Sequence, residues 1–178
     1  MKKIITLLLI VICASLAAGS YGALHDMITY RISPEYYTYY KFIEFGLTES
    51  YDQKVSNPLL FAAASGFLAT WWIGGIIGLI IGGLVLAFSD STNKQIIIIS
   101  SINTAIIFAA SSCCGLIGWL WGIYLSGADE ALYIHDVLLQ ADEVKCMTMV
   151  SYIHSFGYIG SAIGFVIAIM KTVTLKKE

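Results

Sequence analysis

Charged residues are scarce in this sequence. Asp, Glu, Lys and Arg make up 12% of its 178 residues, about half the share of roughly 25% found in soluble domains. Hydrophobic residues make up 58%, and the mean hydropathy is +0.79. This composition excludes an ordinary soluble fold and predicts an integral membrane protein in contact with the lipid bilayer. The net charge of −2 gives no basic surface for a polyanion, so we expect no nucleic-acid partner.

Common catalytic and metal-binding motifs are also missing. The sequence has no H-E-x-x-H zinc motif, no nucleotide-binding loop and no C-x-x-C pair. Three of its four cysteines lie in apolar runs, which excludes a secreted disulfide framework. The vicinal pair Cys113-Cys114 is a candidate for a buried redox or soft-metal site. Packing as small hydrophobes is the simpler interpretation, because neighbouring helical positions point about 100° apart.

Four long apolar segments dominate the chain. A spanning helix needs about 20 apolar residues, and the predicted spans cover residues 4–22, 59–88, 96–125 and 149–170 of a single membrane domain, 1–178. The polar segments 23–58 and 126–148 are predicted to lie together on the outer side. The expected fold is an all-α integral membrane protein, a four-transmembrane-helix bundle with an amphipathic interfacial helix on the outer side.

The basic residues give this bundle an orientation. With the N-terminus inside, the short inner segments hold six basic residues and the longer outer segments hold four. The positive-inside rule then predicts a multi-pass protein of the inner (cytoplasmic) membrane with both termini cytoplasmic. For the first span, a cleaved signal peptide with its site at residues 15–17 is the alternative, because Lys2 and Lys3 precede the apolar run.

Small residues recur at four-residue spacing in the spans. Ala14, Ala18 and Gly22 form such a row in the first span, and this favours close packing against a second helix. Later glycines at the same spacing are expected to be helix-packing positions, within one chain or between copies: Gly74, Gly78, Gly82, Gly118, Gly122, Gly160 and Gly164. Asn103, inside the third span, is expected to hydrogen-bond to a neighbouring helix.

The segment 34–45 begins with a helix-start signal and is rich in tyrosine. Ser33 can cap a helix, Pro34 suits its first position, and Glu35 suits the positive end of its dipole. At about 100° per residue, one face of this helix holds Tyr36, Tyr39, Tyr40, Ile43 and Leu47. The opposite face holds Tyr37, Lys41 and Glu44. The pattern predicts a helix at the headgroup level of the membrane.

All three histidines are predicted to lie toward the outer side. His25 ends the first span, His135 lies in the second outer segment, and His154 lies about five residues into the fourth span. A histidine inside a span is a functional candidate. Three interpretations stay open for the trio: a structural hydrogen bond, a site for a transition metal or haem, and acid–base chemistry.

His25 and His154 are predicted to approach each other. Neighbouring helices lie about 8–10 Å apart, and helical side chains lean toward the N-terminus, which brings these two rings together from opposite directions. Asp26 or Glu35 could orient an imidazole or complete a metal shell. The predicted metal ligands are therefore His25, His154, Asp26 and Glu35, and the wider candidate polar site adds Tyr30, Arg31, Ser33, Lys41 and Tyr158.

Two short elements carry a resemblance. Residues 25–36 read H-D-x-x-T-Y-x-I-S-P-E-Y, and residues 154–160 read H-S-F-G-Y-I-G. They resemble the signature after the first span, and the histidine-then-tyrosine-glycine element of the last span, of an uncharacterised group of small bacterial four-span membrane proteins. The resemblance implies one site made of six residues: His25, Asp26, Tyr30, Ser33, Glu35 and His154. The second H-D pair, at His135-Asp136, has no counterpart in the group.

Two classes of function follow. One is an inner-membrane protein whose outer His/Asp/Glu cluster binds a metal or cofactor or catalyses a reaction, and whether it is an enzyme stays open. The alternative is a structural or assembly subunit that docks in a homo-oligomer or a membrane complex through glycine-rich helix faces and segment 34–45. A transporter is disfavoured, because the inner half offers few polar residues beyond Asn103.

Overall fold

Four long helices form the protein. The computed structural model describes residues 2–88, 92–125, 132–134 and 137–174. Within these residues, α1 (Lys2–Ile32), α4 (Pro58–Phe88), α5 (Asn93–Leu125) and α6 (Ala141–Thr174) are each long and apolar enough to cross a membrane. The predicted all-α bundle of four transmembrane helices is therefore confirmed. A small antiparallel hairpin, β1 (Leu132–Ile134) with β2 (Val137–Leu139), lies in the predicted loop before α6.

The first and last helices are longer than the predicted spans. Helix α1 continues to Ile32 instead of ending near residue 22, and α6 begins at Ala141 instead of near residue 149. The polar residues after residue 22 suggested an exit from the membrane, but Asp26 and Thr29 are both buried. Their side chains have partners inside the bundle, so the helix continues without exposing them to lipid.

The helices pack as two antiparallel pairs. Helix α1 lies against α4, where a Cβ on Gly74 would contact Ala18 and a Cβ on Gly78 would contact Ala14. In addition, the Thr70 hydroxyl donates to the Ala18 carbonyl at 2.7 Å. Because the backbones come this close, α1 and α4 form a rigid unit that only small side chains allow.

Helices α5 and α6 pair in the same way. A Cβ on Gly118 would contact the Tyr152 carbonyl, and a Cβ on Gly164 would contact the Ile107 backbone. Asn103 donates to Thr172 Oγ1 at 2.8 Å across this pair, as expected for an amide inside a span. All seven glycines named above contact a neighbouring helix of this same chain. The four described cysteines are free, and Cys114 packs where a Cβ on Gly160 would lie.

Antiparallel packing places the start of α1 and the end of α6 at one end of the bundle. Asp26, Ser65 and His154 lie near the opposite end, which we call the site end. A buried apolar cluster near the termini includes Ile10, Ile81 and Val85. A second cluster, around Tyr37 and Phe42, closes the site end.

A helical strap, residues 33–48, covers the site end. It consists of α2 (Pro34–Tyr36), a π-helical turn (Tyr37–Lys41) and α3 (Phe42–Glu44). As predicted, Ser33 caps α2, accepting a hydrogen bond from the Tyr36 backbone N–H at 3.2 Å, and Pro34 occupies the first turn. Gly46, at φ 65°, ends the helical part of the strap, with Leu47 N–H donating to the Phe42 carbonyl at 2.8 Å, which is the usual glycine-dependent helix stop.

The strap buries the face that carries Tyr37 and Lys41. Tyr37, Lys41 and Phe42 are buried, whereas Tyr40 is exposed. The sequence divided the segment into two faces without assigning either to the interior, and a lysine rarely lies on a buried face. Here the Lys41 ammonium finds a carboxylate inside the bundle, and that contact, together with the π-helical turn, sets which face points inward.

Replacing Gly78 with Val should destabilise the bundle, because a Cβ at this position would lie 2.7 Å from the Ala14 Cβ. Overpacking of this kind costs about 1–3 kcal/mol. Gly83→Val is the matched control, since it makes the same chemical change on α4 where a Cβ meets nothing within 4 Å. Thermal unfolding of the two variants in detergent should show a lower midpoint for Gly78→Val alone, and equal midpoints would contradict the packing.

Candidate polar site

The carboxylate of Asp26 is the centre of the site. Oδ2 accepts from Lys41 Nζ at 2.7 Å and from Ser65 Oγ at 3.1 Å. Oδ1 lies 3.2 Å from His154 Nε2 and 3.4 Å from His25 Nδ1. These five residues, drawn from α1, the strap, α4 and α6, form what we call the Asp26 cluster. Four of them are buried, and His25 is the partly exposed member.

The crossing of α1 and α4 positions the carboxylate. A Cβ on Gly66 would collide with the Gly22 carbonyl and would lie 2.8 Å from Asp26 Cβ. Because both crossing residues are glycines, the helix backbones touch one turn from Asp26. This close approach brings Ser65 within hydrogen-bonding distance, so the same small-residue packing that stabilises the pair also builds the site.

The π-helical turn brings Lys41 into the bundle. π-Helices are rare, and short ones occur often at functional sites. Here the turn aims both Tyr37 and Lys41 inward: the Tyr37 hydroxyl is 2.5 Å from Thr29 Oγ1, and Lys41 Nζ is 5.4 Å from the centre of the Tyr37 ring. Thr29 also donates to the His25 carbonyl, so Tyr37 donates to Thr29. The ammonium is held by a carboxylate and an aromatic face together.

The protonation of His154 follows from its hydrogen bonds. Nδ1 lies 2.9 Å from the Val150 carbonyl, which can only accept, so Nδ1 carries a proton. Nε2 lies 3.0 Å from Lys41 Nζ and 3.2 Å from Asp26 Oδ1. If Nε2 is bare, it accepts from the Lys41 ammonium. If Nε2 is protonated, it donates to Asp26 and Lys41 is an uncharged amine.

These two arrangements contain the same number of protons. They differ only in whether one proton lies on Lys41 Nζ or on His154 Nε2, which are 3.0 Å apart. The alternative with both groups protonated would set two donors against each other. The Lys41–His154–Asp26 contact is therefore suited to moving a proton over a short distance at constant charge.

His25 adds a second imidazole with a different environment. Its Nδ1 faces Asp26 Oδ1, so Nδ1 donates and a neutral ring has its lone pair on Nε2. Among the described residues, none hydrogen-bonds to this Nε2. The ring lies edge-on to His154, with 4.8 Å between ring centres, which is the approach predicted from the sequence.

Aromatic rings close the cluster from the strap. The Tyr36 ring stacks on the His154 ring at 5.3 Å with an interplanar angle of 23°. Burial, together with the neighbouring Tyr158 and the negative charges of Asp26 and Glu44, raises the pKa of Tyr36 to about 12. Burial also raises the pKa of Tyr37. Both phenols are therefore neutral near pH 7, and the exchangeable protons belong to the lysine and the histidines.

The remaining predicted site residues lie around the cluster rather than in it. The Tyr30 ring packs against Tyr37 at 5.5 Å and forms a wall. Ser33 donates to Glu35 Oε2 at 3.0 Å within the cap of the strap. Arg31 is exposed, and the Tyr158 ring lies 6.4 Å from His154. His135 lies outside the described residues.

Sequence reasoning missed three participants. Ser65 is one small residue among many in its span, and nothing in its spacing distinguishes it. Tyr37 was not among the predicted site residues. The Val150 carbonyl determines which nitrogen of His154 carries the proton. The pattern of side chains in a sequence cannot indicate a contact made by a backbone atom.

Three residues of the cluster could hold a metal ion. His25, Asp26 and His154 offer ligand atoms within 4.8 Å of one another, and Glu35 is not in this group. The Lys41 ammonium, however, contacts both Asp26 and His154 Nε2. A divalent ion bound to the same atoms would lie close to this positive charge, which is strongly unfavourable inside a bundle. Metal binding therefore requires Lys41 to lose its proton or to move away.

The cluster forms one end of a long cleft between the two helix pairs. The cleft has a volume of about 500 Å³ and is lined by all four long helices. His25, Asp26, Lys41 and His154 all border it. A bound molecule would therefore meet the polar group directly.

Comparison with known proteins gives no relative for this chain. A scan against protein-family models finds no match. Searches of curated proteins and of solved structures find none either. The resemblance to the bacterial four-span group stays a prediction, and function has to be argued from the geometry of the Asp26 cluster.

Changing either member of the Asp26–Lys41 pair should destabilise the protein. Asp26→Asn leaves a buried ammonium without a counter-charge, with an expected loss of about 3–5 kcal/mol. Lys41→Met should cost less, because His154 can take up a proton and balance the buried carboxylate. The double variant Asp26→Asn/Lys41→Met removes both charges and should recover much of the loss in Asp26→Asn.

Thermal unfolding in detergent would measure these changes, with Lys54→Met as the control because Lys54 is an exposed lysine at the same end. A Lys41→Met midpoint equal to that of the control, or a double variant worse than both single variants, would rule out the buried pair.

Proposed function

We propose that this protein carries a buried acid–base site that exchanges a proton with a molecule bound between its helices. The contact of Lys41 Nζ with His154 Nε2 at 3.0 Å, beside the Asp26 carboxylate, supports this most directly. A purely structural ion pair needs only the lysine and the carboxylate. The additional imidazole, fixed through Val150, gives the proton a second position.

His25 is the residue that meets the bound molecule in this proposal. Its ring lines the cleft, and Asp26 orients it through Nδ1. When Nε2 takes a proton, Asp26 stabilises the imidazolium, as carboxylates do for general bases. The reaction class is proton transfer, from or to an oxygen of the bound molecule.

The two imidazoles are coupled through one oxygen atom. Asp26 Oδ1 is close to both His25 Nδ1 and His154 Nε2. A charged His25 makes a stronger hydrogen bond to Oδ1. This favours a His154 Nε2 without a proton and a proton on Lys41. A neutral His25 still donates to Oδ1 but more weakly, and His154 can then donate to the same oxygen. Lys41 and His154 thus adjust to the state of His25.

A metal site is the second candidate, and one observation favours it. Ligand atoms of His25, Asp26 and His154 lie within 4.8 Å of one another, close enough for one ion such as zinc. The ammonium of Lys41 argues against it. Elemental analysis and an absorption spectrum of the purified protein separate the two candidates, since stoichiometric zinc or a haem Soret band would favour the metal or cofactor.

The acid–base proposal predicts a change in His154 when Lys41 becomes Met. The imidazole is then the cation best placed to balance Asp26, so it should be doubly protonated at pH 7, donating to Val150 and Asp26. Nitrogen-15 spectra of labelled histidine would show this directly, because the two ring nitrogens have separate shifts. Lys54→Met should leave the spectrum of the native protein unchanged.

Two outcomes would contradict the proposal. One is a neutral His154 with native nitrogen shifts in Lys41→Met. The other is one equivalent of tightly bound metal in the native protein, with Lys41→Met binding it no better. A bound metal that Lys41 does not oppose would mean that the ammonium is not at the ligand atoms.

We further propose that the site faces the outer side of a bacterial inner membrane, with both termini cytoplasmic. The antiparallel bundle puts the start of α1 and the end of α6 at one end, and the excess of lysines in the short segments that the sequence has next to these helix ends supports the orientation. The bacterial membrane is inferred from the resemblance of residues 25–36 to the four-span group.

A green fluorescent protein fused after residue 178 should therefore fluoresce, because it folds on the cytoplasmic side. Alkaline phosphatase at the same position should be inactive, since it needs the oxidising outer compartment for its disulfides. The opposite pair of results would place the Asp26 cluster on the inner side and overturn the orientation.

A further inference from the structure

We infer that the cleft beside the Asp26 cluster binds one long-chain lipid whose small, uncharged head carries a hydroxyl or carbonyl oxygen. This inference rests on the proposed acid–base site, because it names the class of molecule that exchanges the proton. Four features of the cleft support it: its length, its walls, the charge of its polar end and its opening.

The length of the cleft matches a lipid chain. It extends along α4 from Gly66 to Ile80, about 21 Å at 1.5 Å per residue. Half of the hydrocarbon core of a bilayer is about 15 Å thick. Its volume of about 500 Å³ lies within the usual range for small-molecule sites, about 300–1,000 Å³. An elongated molecule therefore fits better than a compact polar one.

Away from the Asp26 cluster, the walls of the cleft are apolar and suit a hydrocarbon chain. Ile73, Ile77 and Phe165 provide apolar surface. The hydroxyl groups in the walls are already used: Thr70 donates to the Ala18 and Gly66 carbonyls, and Ser111 donates to the Gly157 carbonyl. A hydrocarbon chain in the cleft would leave no buried polar group unsatisfied there.

The polar end selects an uncharged head. The carboxylate of Asp26 already balances the ammonium of Lys41 at 2.7 Å. An additional anion or cation would be buried without a counter-charge, which is costly. A hydroxyl or carbonyl oxygen could instead hydrogen-bond to His25 Nε2 or to the Tyr158 hydroxyl, since no described residue hydrogen-bonds to either group.

The cleft opens toward the lipid. Ile76 on α4 and Tyr158 on α6 both line it, and their exposed fractions are 50% and 55%. These two helices belong to different pairs, so the gap between the pairs gives a lateral entrance. A ligand dissolved in the bilayer can enter through that gap without crossing the strap.

The test uses probes with the same ten-carbon chain and different heads: 1-decanol, decylubiquinone, decanoate and decyltrimethylammonium. Binding to the full-length protein in lipid nanodiscs is measured for the native protein and for Ala162→Trp, which fills the cleft from α6. The ratio of the two affinities removes the partition of each probe into lipid, because that partition is common to both proteins. Ala109→Trp, an exposed position on α5 that does not line the cleft, is the matched control.

Ala162→Trp should weaken the binding of at least one uncharged probe by about tenfold or more, a loss of about 1.4 kcal/mol. It should leave the binding of both charged probes unchanged. Ala69→Phe, which fills the same cleft from α4, should repeat this result if Ala162→Trp unfolds. A loss for decanol alone would indicate that the natural ligand is an aliphatic alcohol, and a loss for decylubiquinone alone would indicate a quinone. A loss for both would indicate that the site accepts uncharged heads in general.

No loss for any probe, or an equal loss for decanoate or decyltrimethylammonium, would overturn the inference. The nitrogen-15 result on His154 is obtained without any added ligand. A failure to bind lipids would therefore leave the acid–base site standing, whereas a failure of the histidine experiment would reject the site itself.

Discussion

The buried ion pair between Asp26 and Lys41 is the interaction on which the rest of the structure depends. A charge inside a membrane helix is stable only with a counter-charge and hydrogen bonds around it. Four separate parts of the chain supply these partners. Helix α1 brings the carboxylate, the strap brings the ammonium, α4 adds Ser65 and α6 adds His154. Any register shift between two of these parts would leave a charge or a polar group unpaired, so the cluster fixes how they fit together.

The helix packing explains why a cleft lies beside this cluster. Within each pair, glycines and alanines let two backbones touch, as at Gly22 and Gly66. Between the pairs, large side chains such as Phe108 and Phe165 border the gap and hold it open. At the site end the Asp26 cluster joins the pairs through Asp26 and His154, and at the other end a buried apolar cluster that includes Ile10 and Ile107 joins them. The result is a slot closed at one end by charges and bordered elsewhere by apolar side chains.

Much of this arrangement could be predicted from the sequence, and the failures have a common cause. The four helices, the Ser33 cap and the contact between His25 and His154 follow from apolar length, capping chemistry and depth. The continuation of α1 past Asp26 and the burial of Lys41 against it do not, because polar side chains in a sequence usually indicate exposure to water. Lys41 and Asp26 are polar but face each other inside the bundle. Pairing between distant residues decides their burial, and periodicity carries no information about it.

The choice of a lysine as the cation in this cluster bears on its function. An ammonium and a metal ion can both join a carboxylate to an imidazole and cancel the buried negative charge. A metal ion binds through lone pairs and carries no proton of its own, whereas an ammonium brings a proton to the hydrogen bond with the imidazole. At 3.0 Å from His154 Nε2, Lys41 can pass that proton on while the net charge of the cluster stays the same. A buried site that has to move a proton between its own groups without changing its net charge is therefore better built from a lysine, a histidine and a carboxylate than from a metal.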